Sequence, residues 1–233
     1  MAVLPEFGYN WVPDGTDSNG LRLGDTTLRG QYMLTEFHEG SWMPTTALAV
    51  SETFPTGDYD RLGSNPSNGL GSGFYTTKIG LWSQDYFWMP NGRILRTRLN
   101  LTYAIPDGKA TVDGVSVYGT PPGFRGEVDG GKTFTVDASF EYSLTQNWVP
   151  VFEVIYSHTD GGYVTGSASS SSGGLLGVPT RSNSASSEAF DLAPAVEYNW
   201  NGHYGLIVGA DFTVAGRNTG ASVTPQAALN IYY

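Results

Sequence analysis

The sequence predicts an all-β protein: a closed, antiparallel, up-and-down transmembrane β-barrel of about ten strands, forming a single outer-membrane domain over 1–233. Three observations predict it. Apolar and polar residues alternate with period two over long segments. The connections between those segments alternate between short and long. Four of the six tryptophans, Trp42, Trp88, Trp148 and Trp200, lie within a few residues of a short turn. The segments are long enough for the ~9–11 residues that cross a bilayer at a tilt. A soluble β-sandwich would use strands of about 5–6 residues with polar outer faces.

In chain order the predicted strands are 3–12, 25–38, 43–54, 73–87, 92–105, 132–146, 148–159, 187–200, 203–215 and 221–233. In the fifth, Leu95, Leu99, Leu101, Tyr103 and Ile105 oppose Arg96, Arg98, Asn100 and Thr102. In the sixth, Phe134, Val136, Ala138, Phe140, Tyr142 and Leu144 oppose Thr135, Asp137, Ser139, Glu141 and Ser143. The ninth sets Tyr204, Leu206, Val208, Ala210, Phe212 and Val214 against Gly205, Ile207, Gly209, Asp211 and Thr213. The last sets Val223, Pro225, Ala227, Leu229, Ile231 and Tyr233 against Ser222, Thr224, Gln226, Ala228, Asn230 and Tyr232. Short turns fall near Glu39–Ser41, Met89–Gly92, Gln146–Asn147 and Asn201–Gly202, and long loops at Pro55–Ser72, Pro106–Gly131 and Asp160–Ser186. Short turns at one end and long loops at the other describe the two rims of a membrane barrel. The tryptophans then form an interfacial girdle at the short-turn rim, joined by the terminal Tyr233. Pro194 and Pro225 fall inside predicted strands, so each must sit at a bulge or near a rim.

Composition narrows the function. Twelve Lys and Arg against 22 Asp and Glu leave a net charge of −10, which makes a poor polyanion binder and excludes nucleic acid as a partner. The absence of cysteine removes disulfides, thiol catalysis and cysteine-ligated metals. No window approaches 18 apolar residues, so no transmembrane helix is predicted, and residues 1–12 carry no signal-peptide pattern.

Short motifs add a resemblance. Gly24-Asp25 before a strand and Pro55-Thr56-Gly57-Asp58 after the next hairpin resemble the MetA-pathway phenol-degradation family of outer-membrane β-barrels. Asn100-Leu101-Thr102-Tyr103, Glu153, Leu192-Ala193-Pro194-Ala195-Val196-Glu197-Tyr198, and Gly209, Gly216 and Tyr233 follow in that family's order. The resemblance covers about residues 20–233 and implies a transporter-like protein, with no catalytic residues to carry over. Family members have more strand before the Gly-Asp motif, which leaves room for a twelve-stranded parent. The terminal Tyr233 resembles the signal read by barrel-assembly machinery.

If the apolar faces meet lipid, the polar faces line a lumen. Arg29, Lys78, Arg96 and Arg98 make a basic wall from the early strands, and Asp137, Glu141, Glu153, Asp191, Glu197 and Asp211 an acidic wall from the late ones. An open lumen would carry a transverse field, and a narrow one a salt-bridged plug. Phe74, Trp82, Ile155 and Ile207, with Met33 and Val151, interrupt the polar faces as hydrophobic solute contacts or as space-filling side chains.

Enzymatic and metal signals are weak. His38 and His203 lie by short turns, and Ser157 and His158 point to opposite faces of a strand. Asp14, Asp17, Asn19 and Gly20 miss the calcium-loop spacing, and turn chemistry accounts for them. The Ser/Gly tract Gly166–Gly174 reads as a solvated surface loop. No catalytic residue, metal or cofactor is predicted.

The sequence therefore predicts a passive channel or uptake protein for small, hydrophobic or aromatic molecules in a Gram-negative-type outer membrane. Its neighbours would be membrane lipid and lipopolysaccharide. The alternative is a plugged structural or adhesion barrel acting through its loops.

Overall fold

The computed structural model describes residues 1–168 and 179–231. Its strands are β1 (Ala2–Gly8), β2 (Arg22–Thr35), β3 (Thr45–Phe54), β4 (Tyr75–Trp88), β5 (Ile94–Asp107), β6 (Lys109–Asp113) and β7 (Phe124–Asp129). There follow β8 (Thr133–Tyr142), β9 (Trp148–Thr159), β10 (Tyr163–Ala168), β11 (Pro179–Asn183), β12 (Ser187–Asn199), β13 (Tyr204–Arg217) and β14 (Val223–Ile231). A 3₁₀ turn at Pro66–Asn68 is the one helical element among the described residues. Tyr232 and Tyr233, and most of the Ser/Gly tract, lie outside the described residues.

Ten strands form one antiparallel meander in the order β1-β2-β3-β4-β5-β8-β9-β12-β13-β14. They match the ten predicted segments to within a few residues. The sheet curls through about 290°, and hydrogen bonds do not close it. This corrects the closed barrel expected from the sequence. Both edge strands are irregular. β1 has seven residues and slips register between Pro5 and Phe7. β14 carries Pro225, whose missing N–H is harmless on an edge. Pro194 is accommodated differently. It pairs with Phe152 on β9, while the β12–β13 ladder skips from Leu192↔Phe212 to Ala195↔Gly209 around it.

Two of the long loops are not loops. Residues 106–131 contain the hairpin β6–β7, and 160–186 contain β10 and β11. These pair through β7–β10 into a second sheet of order β11-β10-β7-β6. The apolar core cluster of the described residues lies here: Phe74, Ala110, Val112, Phe124 and Val128, with Tyr59, Tyr118 and Val164 packed around it. At about 25 cal/mol per Å² of apolar area, burying these side chains gives the cap its own driving force.

The large sheet has the opposite distribution. Register places Ala47, Ala49, Ser51, Ser139 and Glu141 on the concave face, where they are buried. Leu48, Val50, Ile79, Leu81, Leu99, Phe140, Phe152, Val208 and Leu229 stand exposed on the convex face. Between Glu52, His158 and Glu188 near the long-loop end and Asp85 near the short-turn end, the convex face of β2–β5, β8, β9 and β12–β14 carries no charge.

Candidate functional site

The concave face is where charge gathers. Arg96 and Glu141 are cross-strand partners, as are Arg98 and Ser139. Arg96 is ion-paired with Glu141. Arg98 reaches Glu141 at 2.7 Å, Glu153 at 3.2 Å and Ser139 Oγ at 3.2 Å. Asn100 donates to Asp137 at 2.9 Å. The basic and acidic walls therefore do not only oppose one another across a space. They meet along the β5–β8 seam and neutralise each other sideways, because β6 and β7 leave the large sheet and make β5 and β8 neighbours.

The other charges are less engaged. Arg29 lies over the Trp82 ring, 4.6 Å from its centroid. Arg29 and Lys78 form no ion pair among the described residues. Glu197 accepts from Asn230 at 3.1 Å. Asp211 sits near Asp191, and one oxygen of Asp211 and one of Asp137 are buried without a hydrogen-bond partner.

Arg29, Lys78, Trp82, Arg98, Asn100 and Asp137 line two adjoining cavities. One, of about 570 Å³, runs toward the long-loop end past Asp25, Ser51, Lys78, Thr102, Asp137 and Ile155. The other, of about 390 Å³, runs toward the short-turn end past Gln31, Met33, Gln84 and Arg98. Arg29, Trp82 and Asn100 line both. A smaller recess of about 120 Å³ near the open edge is lined mostly by small and apolar residues, Val151, Ala193, Ala195 and Ile207 among them, with Glu153 and Gln226. Phe74 lines none of these, since it is 5% exposed within the cap core.

Trp42, Trp88, Trp148 and Trp200 gather at the short-turn end and are all exposed. Trp148, Tyr198 and Trp200 form one cluster, with centroid distances of 4.6 and 5.8 Å. Trp88 instead stacks on Phe37 at 6.0 Å, and its alternation with Tyr86 turns it toward the concave side. Trp42 stands in the β2–β3 turn.

Asp25, which the sequence offered only as part of a short motif with no role assigned, has a structural one. It is 7% exposed, yet its oxygens accept from Gly57 N at 3.0 Å, Ser72 N at 2.8 Å and Ser72 Oγ at 2.7 Å. Thr56 donates to Gly24 O at 3.1 Å, and Arg22 pairs with Asp58. The two short motifs thus touch and latch the 55–74 segment to the sheet. Their glycines are needed for close approach: a Cβ on Gly57 would lie 2.8 Å from backbone atoms of Gly24 and Gly71. Tyr118 extends the latch into the cap by donating to Ser72 O, and burial pushes its phenol well above the usual tyrosine range.

His158 lies 3.5 Å from both Asp160 and Glu188, and Glu188 also holds Arg217 at 3.1 Å. Ser157 is on the opposite face of β9. Among the described residues no group of three His, Cys, Asp or Glu is placed to hold a metal ion.

No family model and no curated protein matches the chain.

Proposed function

We propose that this chain is an outer-membrane β-barrel of a Gram-negative-type bacterium that passes small hydrophobic or aromatic molecules by passive diffusion. The observation that carries the reading is the reversed polarity of the large sheet. Its convex face exposes Leu48, Ile79, Leu99, Phe152 and Val208 without an intervening charge, while its concave face holds the arginines and carboxylates. Contiguous apolar surface on that scale marks contact with lipid or a partner, and polar residues inside mark a water-filled path. Lipid and lipopolysaccharide would surround the convex face, and barrel-assembly machinery would insert the chain. Full closure belongs to this reading. β1 and β14 run antiparallel, so pairing them would satisfy edge groups that hydrocarbon cannot. The resemblance of the Gly24-Asp25 and Pro55–Asp58 motifs to the MetA-pathway family supports it further.

The test is refolding into detergent, a heat-modifiable gel shift, and planar-bilayer recording. Stepwise conductance is the expected result. Protein that stays monodisperse without detergent would overturn the reading. A second reading, a plugged barrel acting through its loops, is favoured by the cap with its own core. Detergent-dependent folding with no conductance would select it.

A further inference from the structure

Midway along the concave face Trp82 lies against the sheet over Gly80. A Cβ at Gly80 would come 2.9 Å from the indole nitrogen and 3.2 Å from Thr102 Cγ2, so the missing side chain makes room for the ring. The Arg29 guanidinium covers the ring at 4.6 Å. Arg29 and Lys78 both pair in register with Ser51, one from each side. Their Cα atoms are therefore two strand spacings apart, roughly 10 Å.

These two cations differ from the others inside. Arg96 and Arg98 are committed to Glu141 and Glu153. Arg29 and Lys78 have no carboxylate partner among the described residues, and Lys78 is exposed to the 570 Å³ cavity. That volume falls within the roughly 300–1,000 Å³ of small-molecule sites. The carboxylates on the same cavity are differently engaged. Asp25 is held by Gly57 and Ser72, Asp137 by Asn100, and Glu6 on β1 stands beside Asp25. Beyond the cavity Asp191, Glu197 and Asp211 repel anions. Arg29 and Lys78 are thus the cations on this cavity left to meet an anion, on the side away from Glu6 of β1 and Asp25 near the start of β2, beside a guanidinium–indole stack with Ile155 and Leu4 near it.

We propose that Arg29, Lys78 and Trp82 form a binding station for a small planar carboxylate, its charge between Lys78 and Arg29 and its ring against the stacked guanidinium. The inference rests on the channel reading for its purpose, and its test is independent of that reading.

The test is calorimetric titration of the refolded full chain in detergent with benzoate, benzyl alcohol and benzylammonium. Benzoate should bind, and the other two at least about ten-fold more weakly, the loss expected when a charge-assisted hydrogen bond is missing. Lys78→Gln and Arg29→Gln should each weaken benzoate by about ten-fold. Lys78→Arg should restore it, and Arg93→Gln, at an exposed short turn, should change nothing. Equal binding of all three ligands, preference for benzylammonium, no binding of benzoate, or Lys78→Gln binding as well as the parent would overturn the station. Absence of conductance alongside benzoate binding would overturn the channel and leave the station standing.

Discussion

Arg96 on β5 and Glu141 on β8 face each other directly and are ion-paired, with Glu141 only 6% exposed. Arg98 shares the same carboxylate. One acid therefore holds two arginines, and its removal takes the paired carboxylate from Arg96 and leaves Arg98 with Glu153 alone.

Glu141→Gln should destabilise the fold by about 2–4 kcal/mol, below the full cost of breaking a buried pair because each arginine is a third exposed. Denaturant titration in detergent reads the loss. An unchanged midpoint would mean that water already screens the cluster.

Substitution on the two faces of β13 should have unequal effects. Val208→Arg places a charge in the apolar convex band and should cost roughly 2–4 kcal/mol in a bilayer. Asp211→Asn, on the concave side, removes a carboxylate with a buried unpartnered oxygen and should be neutral or mildly stabilising. Folding titrations in vesicles that gave equal losses would reverse the assignment of faces.

Asp25→Ala should release the 55–74 segment without unfolding the ten-stranded sheet. Three donors on Gly57 and Ser72 lose their acceptor, at a cost on the order of 3 kcal/mol. Limited proteolysis should then cut within 55–74 while the gel shift of the whole protein persists. Cleavage no faster than in the parent would show that Arg22–Asp58 and the glycine packing suffice.

The cap should loosen at alkaline pH. Tyr118 donates to Ser72 O, and burial raises its pKa above the unfolded value near 10. The stabilisation is then complete below about pH 10 and is lost as pH rises through the higher folded value. Amide exchange in β6 and β7 should accelerate over that range, and Tyr118→Phe should abolish the dependence. Parallel pH profiles in parent and variant would exclude this tyrosine as the cause.

The ten long strands were legible because alternation is a local property. Leu99 and Arg98 point to opposite faces of β5 whatever lies beside them, and the turns near Met89–Gly92 and Asn201–Gly202 follow from their residues. The β6–β7 and β10–β11 hairpins were missed because short strands in Gly- and Ser-rich loops have little periodicity. The β7–β10 pairing joins residues some forty apart in sequence, Val128↔Val164 among them.

Which face each side chain takes was thus determined by the sequence itself. The tertiary structure decided the rest: that the large sheet stops at about 290°, that Phe74 enters the cap core, that Arg98 reaches Glu153, and that Asp25 clasps Ser72. The reason is physical. A facing direction is set by two neighbouring peptide units, whereas closure and partner choice depend on the register and curvature of strands brought together across much of the chain.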